Sequence, residues 1–561
     1  MRILLFAFLL LSAAFACEGI VSRYVPAVVG NGGGLINISV SLMPGSGDAY
    51  LTAYPYTASS TQQSIQRAVD YAYLASGEER ECNVLFRIND DAGYIEGPSG
   101  GAAFTVMTYS LLTNQSMRKD TIITGTVNSL GRVGPVGGVY EKARSASLVG
   151  ADYFIMPRGN FYEMLLLRNL DQELEILEAE NVNEIIGFMF ENKSIEQEPI
   201  EARMREIPEL NDYNASGLSS FIPVARRMIV LENEEVASLI PEDNETVKVK
   251  EFFENEVKRQ NALLEQGYVF SSANEAFLNY IDVSTIAVII RGRADLPRKK
   301  GEAGVCLTGI ERPALTDENF EWVVGSDLRR AWAWNQLDTV ETEDIMLTDE
   351  KYVAYHELMY GDAWCNVADS LVSAAPEGGT PINESAWKGL AERKLEQARQ
   401  TGTTAPDTGS RLKIASGSYD DGRYGAAVFD AVFVIEMENA EKDLMENNIS
   451  GGLVYEMLQE EKNTLWGNVY HSHAAYLYEL NETAAAYQTL RYAEGLENAS
   501  LEMKALIRPA SPQGDETDLM LAAVLLISVF LFVIVIVLLR RAYGNKRKGY
   551  SPAYRARKKK G

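Results

Sequence analysis

The stretches Glu96–Gly101 (EGPSGG) and Gly131–Lys142 (GRVGPVGGVYEK) are the most informative parts of this sequence. Each is a glycine-rich turn next to a predicted helix, and each carries one reactive group, the hydroxyl of Ser99 or the amine of Lys142. A serine hydroxyl is a weak nucleophile that needs a nearby base, and lysine acts as a base near neutral pH only where burial lowers its pKa. The two stretches together predict a serine nucleophile paired with a lysine base.

The surrounding pattern is typical of an α+β domain. Apolar and polar residues alternate over Ile36–Leu42, which predicts a half-buried strand, and the glycine cluster Gly30–Gly34 before it predicts a turn. A helix is predicted over Ser99–Leu112 and a strand over Thr121–Val127. Ser99 then lies at the start of its own helix, where unpaired backbone N–H groups can stabilise a developing oxyanion.

The order and spacing of these stretches resemble the proteolytic domain of Lon-type serine proteases. That family has an acid-Gly-Pro-Ser-small-Gly box, a Thr-Gly pair on a strand and a Gly-Gly-x-x-Glu-Lys box. This sequence matches the three motifs in the same order, at Glu96–Gly101, Thr124–Gly125 and Gly137–Lys142. The resemblance covers about residues 25–195 and implies the α+β fold of that domain. It also implies a serine-type endopeptidase that forms an acyl-enzyme on a polypeptide substrate.

The resemblance implies a role for each matching residue. Ser99 is implied to be the nucleophile and Lys142 the general base, with the Thr124 hydroxyl holding the lysine amine by a hydrogen bond. Glu96 is implied to shape the substrate side of the cleft. Gly100 stands where the family usually has alanine, and we expect backbone N–H groups near Ser99 and Gly100 to contact the oxyanion.

The sequence also departs from the family. It contains no Gly-x-x-x-x-Gly-Lys-Ser/Thr motif, which Lon enzymes that unfold proteins carry in an ATPase module. The residues after about 215 have no counterpart in the family. We therefore expect an ATP-independent peptidase that uses no cofactor and no metal and cleaves unfolded or extended chains. Lon-like domains often form rings, so a homo-oligomer is a further expectation.

Both ends of the chain indicate a membrane topology. Residues 1–16 combine Arg2, an apolar run and a small-x-small cleavage pattern, as a signal peptide does. Residues 519–539 are apolar apart from Ser528, and at 1.5 Å per residue they span about 30 Å, enough for a transmembrane helix. Because the basic segment 540–561 follows, the positive-inside rule predicts a single-pass type I protein of the cell membrane. The catalytic domain is then extracellular and the basic tail cytoplasmic.

Between these segments the sequence predicts four regions. They are a Lon-like domain at 17–197, a linker at 198–215, a mainly α-helical domain at 216–505 and a stalk at 506–518. The helical domain contains the long amphipathic runs Tyr352–Val372 and Leu453–Leu480, which indicate a helical bundle or a short solenoid. The sequence assigns this domain no role.

Charge and glycosylation signals agree with export. The formal net charge is −26, and the residues before the basic tail carry about −36, which argues against a nucleic-acid partner. N-glycosylation sequons begin at nine asparagines: Asn37, Asn114, Asn192, Asn214, Asn244, Asn383, Asn448, Asn481 and Asn498. The four cysteines allow three pairings, among which Cys17–Cys82 with Cys306–Cys365 is favoured. Lipidation of Cys17 after signal cleavage is the alternative.

Other motifs carry weaker signals. Ser116–Lys119 matches the Ser-x-x-Lys of penicillin-recognising enzymes without their partner boxes. His471 and His473 could ligate a metal but have no evident third ligand, and His356 lacks the second histidine of a zinc-protease motif.

Two other functions stay open. One is a non-catalytic surface scaffold, in which the Lon-like domain is inert and the helical domain binds a partner. The other takes the Gly97–Gly101 turn as a phosphate cradle, which leaves Lys142 without a role.

Overall fold

The chain folds into an α+β part followed by a helical part. The computed structural model describes residues 17–29, 32–52, 59–89, 97–128, 130–158, 161–167, 173–197, 207–208, 210–211, 213–343, 345, 348–403, 405, 407–447 and 449–507. The predicted signal peptide, the apolar segment 519–539 and the basic tail lie outside these residues.

Strands and helices are mixed along residues 20–191. In chain order they are β1 (Ile20–Val29), β2 (Gly32–Pro44), β3 (Ala49–Thr52), α1 (Ser59–Ser76), β4 (Cys82–Ile88), α2 (Gly101–Leu112), β5 (Thr121–Ile123), β6 (Thr126–Val127), β7 (Val133–Gly134), α3 (Val139–Leu148), β8 (Tyr153–Pro157), α4 (Phe161–Leu167), β9 (Glu175–Ala179) and α5 (Val182–Glu191). This mixture is that of an α+β domain, as the sequence predicted.

Three sheets organise this part. A four-stranded sheet has the order β1-β2-β4-β3, in which only the β3–β4 pair is parallel. A parallel sheet has the order β5-β8-β9, and β6 pairs with β7 in a two-stranded hairpin. The single strand predicted over Thr121–Val127 was therefore wrong: Thr124 and Gly125 interrupt it, and its two halves belong to different sheets. Thr124 N–H donates to the carbonyl oxygen of Ile155 on β8 at 2.9 Å, which fixes the end of β5.

The turn predicted over Gly30–Gly34 was wrong from Gly32 onward, because Gly32–Gly34 belong to β2 and pair with β1. Gly33 lies where α3 crosses the strand. A Cβ atom on Gly33 would lie 2.0 Å from the carbonyl oxygen of Glu141 on α3, so only glycine permits this approach. The glycines therefore bring the helix that carries Lys142 onto the sheet.

Most of the described residues after 215 are helical. The α-helices are α6 (Ile222–Ser238), α7 (Asn244–Glu265), α8 (Val269–Ile290), α9 (Leu296–Gly309), α10 (Phe320–Thr339), α11 (Thr348–Ala374), α12 (Lys388–Thr401), α13 (Thr408–Asp420), α14 (Tyr424–Glu446), α15 (Gly451–Met457), α16 (Leu465–Glu479) and α17 (Thr483–Ile507). The prediction of a mainly helical region is confirmed. The amphipathic run Leu453–Leu480 is two helices, α15 and α16, rather than one.

The helical part packs directly on the α+β part. One hydrophobic cluster joins Tyr140 of α3 and Phe154 of β8 to Val288 of α8 and Tyr352 of α11. Arg144 of α3 also forms an ion pair with Glu350 of α11. The helix that carries Lys142 is therefore enclosed by both parts of the chain.

Two disulfides join distant segments. Cys17 pairs with Cys82 at the start of β4, and Cys306 of α9 pairs with Cys365 of α11. This is the pairing that the sequence favoured. Because the Cys17 thiol is in a disulfide, it is not available for lipidation.

Within the described residues, α8 is long and apolar enough to cross a membrane by length and composition. Its most apolar window is 61% buried, as in a core helix of a folded domain. It packs against α6, α11 and α16.

Gly33→Ala is expected to destabilise the chain by about 1–3 kcal/mol, because the new methyl group collides with the backbone of α3. Thermal or denaturant unfolding of the purified protein measures the effect. Gly301→Ala is the matched control, since Gly301 lies on α9 with no atom near its Cβ position, and alanine there is expected to stabilise by roughly 0.5–1 kcal/mol. Equal stability of the two variants would contradict the close approach of β2 and α3.

Candidate active site

Ser99 lies in a turn directly before α2, and α1 anchors that turn. Thr61 Oγ1 donates a hydrogen bond to the carbonyl oxygen of Gly97 at 3.1 Å, and Ser64 Oγ donates to that of Pro98 at 3.0 Å. Gly97 has a φ of +98°, in the left-handed region that favours glycine. The two hydroxyls and the glycine together fix the path of the backbone into Ser99.

The residues after β5 hold Ser99 from the other side. Its carbonyl oxygen accepts one hydrogen bond from the Gly125 N–H at 2.8 Å and another from Thr124 Oγ1 at 3.2 Å. The sequence predicted that the Thr124 hydroxyl would hold the amine of Lys142. In the structure this fully buried hydroxyl instead holds the backbone of Ser99.

Gly100 is the N-cap residue of α2 and is buried. A Cβ atom at this position would lie 2.5 Å from the ring of Phe104, one turn further along the helix. That ring packs edge-on against Phe86 of β4, with ring centroids 5.5 Å apart. The Phe104 ring thus occupies the space that an alanine methyl group would need.

Lys142 lies in the first turn of α3 and is only 3% exposed. The helix begins after Gly138, whose φ of +64° again requires the left-handed region. Lys142 Nζ donates a hydrogen bond to the carbonyl oxygen of Gly137 at 2.6 Å. Burial lowers the pKa of Lys142 to about 8, against the opposing pull of the Glu163 and Glu141 carboxylates.

Ser99 and Lys142 line the same cavity, which has a volume of about 1190 Å³. The structure thus brings together the two residues that lie 43 positions apart in the sequence. Among the described residues, no hydrogen bond links Ser99 Oγ to Lys142 Nζ. Glu96, the remaining predicted site residue, lies outside the described residues.

The helical part forms the opposite wall of this cavity. Residues of α10 and α11, together with the residue before α13, line it, including Gln336, Thr339, Glu350, Val353, Glu357 and Asp407. Access to Ser99 therefore depends on both parts of the chain. The sequence assigned the helical domain no role at this site.

A group of titratable side chains from α4, α8 and α11 lies near Lys142. Burial, with Asp282 nearby, raises the pKa of Glu163 on α4 to about 7, while the charge of His356 opposes this rise. His356 Nε2 lies 3.1 Å from Asp282 Oδ1, which joins α11 to α8. Lys142 thus has an acidic neighbour, Glu163, whose own ionisation depends on residues of the helical part.

Sequence reasoning did not find Glu163 or Asp282 and dismissed His356. Glu163 follows a strand that ends in proline, but no motif marks it. Asp282 and His356 belong to helices whose contact with α4 is a property of the tertiary structure. A search for charged residues within predicted buried helices could have found Asp282.

The other motifs do not form sites among the described residues. Ser116 and Lys119 are both exposed. Tyr213 and Ser271 hydroxyls hydrogen-bond to Nδ1 of His471 and of His473, at 2.9 and 3.0 Å. Across the described ranges, no group of three or more histidine, cysteine, aspartate or glutamate side chains is arranged to hold a metal ion.

Gly100→Ala is expected to cost about 1–3 kcal/mol of stability, because the methyl group displaces the Phe104 ring. In a Phe104→Leu background the same substitution should cost less, because the ring atoms that it strikes are gone. A double-mutant cycle on the free energy of unfolding measures this coupling, expected to be about 0.5–3 kcal/mol. Equal costs in both backgrounds would show that the ring does not set the choice of glycine.

Comparison with known proteins agrees with this geometry. Residues 24–192 match the Lon protease (S16) C-terminal proteolytic domain. The chain is 26% identical over 175 residues to Lon protease 2 of Herpetosiphon aurantiacus, covering 30% of this chain and 21% of that protein. It is 28% identical over 182 residues to Lon protease of Haemophilus influenzae, covering 31% and 22%.

A third relative, Lon protease of Desulfatibacillum aliphaticivorans, is 32% identical over 163 residues, covering 28% of this chain and 20% of the relative. The chain therefore spans only about a fifth of the length of these relatives, and the residues that match the family lie in its α+β part. Residues 24–192 of this chain are a Lon-type serine protease domain, followed by a mostly helical domain.

Proposed function

We propose that the chain is a serine endopeptidase in which Ser99 is the nucleophile and Lys142 the general base. The observation that carries the proposal is that a buried lysine and a serine at a helix start line one cavity of a Lon-type domain. Burial lowers the pKa of Lys142 to about 8, so a substantial fraction of the amine is neutral at slightly alkaline pH.

The reaction follows from these positions. Neutral Lys142 takes the proton of Ser99 Oγ while that oxygen attacks the scissile carbonyl carbon. Backbone N–H groups of Ser99 and Gly100, at the start of α2, stabilise the oxyanion. The Lys142 ammonium then protonates the leaving amine, which releases the first product and leaves an ester on Ser99. A water molecule, deprotonated by Lys142, hydrolyses that ester.

One movement is needed before the first step. Lys142 Nζ donates to the carbonyl oxygen of Gly137, and among the described residues no hydrogen bond joins it to Ser99 Oγ, so the amine has to approach the serine. Catalytic hydrogen bonds often tighten only when substrate is bound. We therefore propose that the substrate chain, by filling the cavity, favours the conformation in which the amine faces the serine.

The substrate we propose is an unfolded or extended polypeptide, cleaved without ATP. Helical-part residues line the cavity together with Ser99, and we propose that an extended chain enters between the two parts to reach the nucleophile. The sequence carries no ATPase phosphate-binding motif. The apolar segment 519–539 supports anchoring in the cell membrane, and the signal-peptide pattern of residues 1–16 supports an extracellular catalytic domain.

Ser99→Ala is expected to reduce cleavage of unfolded casein by at least about 1000-fold, and Lys142→Met by at least about 100-fold, with folding retained. Peptide release from casein without ATP measures both. The exposed pair Ser116→Ala and Lys119→Met is the matched control and should keep wild-type activity. Cleavage by Ser99→Ala at the wild-type rate would refute the assignment.

The rate of cleavage is expected to rise with pH and to level off above about pH 8, because only the neutral Lys142 amine is a base. Ionised Glu163 favours the ammonium form and so raises the pKa of Lys142. Glu163→Gln should therefore move the midpoint of the profile to lower pH. The exposed Glu175→Gln is the control, and an unchanged midpoint in Glu163→Gln would contradict the coupling.

The alternative is a scaffold with an inert protease-like domain. The hydrogen bond from Lys142 Nζ to Gly137, rather than to Ser99, is the observation that favours it. A scaffold predicts that wild type and Ser99→Ala are equally inactive towards casein across the pH range.

A further inference from the structure

The helical part encloses a second cavity, separate from that of Ser99, with a volume of about 390 Å³. Its lining is mostly apolar and aromatic and includes Trp332 of α10, Trp364 of α11 and Trp466 of α16. Ala485 and Thr489 of α17 also line it and are partly exposed, so the cavity opens beside this helix. A volume of this size is typical of small-molecule sites.

Arg329 of α10 lines this cavity and is only 4% exposed. Among the described residues, no carboxylate forms an ion pair with it. One hydrogen bond, from Nη1 to the carbonyl oxygen of Gly325 at 3.4 Å, is long, and Nε has no partner. Burial lowers the pKa of Arg329, and the nearby Asp430 carboxylate opposes this shift without cancelling it.

Aromatic rings stack on this side chain but do not supply partners for its N–H donors. The guanidinium carbon lies 4.2 Å from the ring centroid of Trp466 and 4.9 Å from that of Trp332, so the rings cover its faces. The N–H donors of a guanidinium lie in its plane, at the edge that stacking leaves free. A buried cation with unused donors is costly, and a bound anion would remove that cost.

The charged groups around the cavity do not balance, and one positive charge has no carboxylate of its own. Arg411 also lines the cavity, and its Nη1 lies 3.1 Å from Oδ1 of the fully buried Asp430. Asp430 accepts a further hydrogen bond from Trp332 Nε1 at 3.1 Å, so this carboxylate already has its partners. His473, the remaining titratable base in the lining, is neutral because burial lowers its pKa to about 4.

We propose that this cavity binds a small organic acid with an aromatic or branched apolar body and one carboxylate. The carboxylate lies against the edge of Arg329, which offers the paired donors that suit it. The apolar body packs among the tryptophan rings. The site does not depend on the proposed peptidase, and its test needs no catalytic activity.

The test is calorimetry of the full-length protein with naphthalene-2-carboxylate, an aromatic monoanion, and with the neutral naphthalene-2-carboxamide of the same shape. The carboxylate is expected to bind with one site per chain and to quench tryptophan fluorescence. The carboxamide should bind at least about tenfold more weakly. Equal affinities, or no saturable binding of the carboxylate at millimolar concentration, would overturn the proposal.

Arg329→Met is expected to abolish the preference for the carboxylate without lowering the unfolding temperature, because it removes a buried charge that lacks a partner. Arg330→Met makes the same change one residue away, outside the cavity lining, and should bind the carboxylate like wild type. Ala485→Trp fills the opening and leaves both arginines in place, so it should also lose binding. Retained carboxylate preference in Arg329→Met, or wild-type binding in Ala485→Trp, would exclude this cavity as the site.

Discussion

The desolvation of one amine, Nζ of Lys142, is the interaction on which the proposed chemistry depends. An exposed lysine is almost fully protonated near neutral pH and cannot accept a proton from serine. Two contacts of α3 bury the amine. Strand β2 packs closely on α3 at Gly33, and α8 and α11 pack on α3 through a shared hydrophobic cluster. The lowered pKa is therefore a result of how the whole molecule packs around a single helix.

The helical part has a direct relation to the site. Its helices α10 and α11 line the same cavity as Ser99, and the charges of Asp282 and His356 act on the pKa of Glu163, the acidic neighbour of Lys142. The same two helices line the tryptophan-rich cavity around Arg329. A change in the packing of α10 or α11 would thus alter both cavities at once. This arrangement gives a physical reason for the two parts to occur in one chain.

The local geometry of the α+β part could be predicted well from sequence. Ser99, Thr124 and Lys142 lie in or next to segments whose glycines constrain the backbone, and such constraints act over a few residues. The predictions failed where tertiary contacts decide. Thr124 interrupts a strand and donates a hydrogen bond to the backbone of Ser99, and Gly33 lies within a strand, where the absence of a side chain lets α3 cross closely. The wall of the cavity could not be predicted, since the contact of α11 with α3 joins residues some 200 positions apart. The signal peptide expected at residues 1–16 and the transmembrane helix expected at residues 519–539 stay predictions.

The central claim is that buried, partly neutral Lys142 activates Ser99, and reaction with a serine-directed phosphonate tests it most directly. Mass spectrometry of the digested full-length protein identifies the modified residue. We predict modification of Ser99 in the wild type, at a rate that rises with pH towards about 8, and very slow modification in Lys142→Met. Absence of label on Ser99 in the folded wild type, or an equal rate in Lys142→Met, would contradict the account.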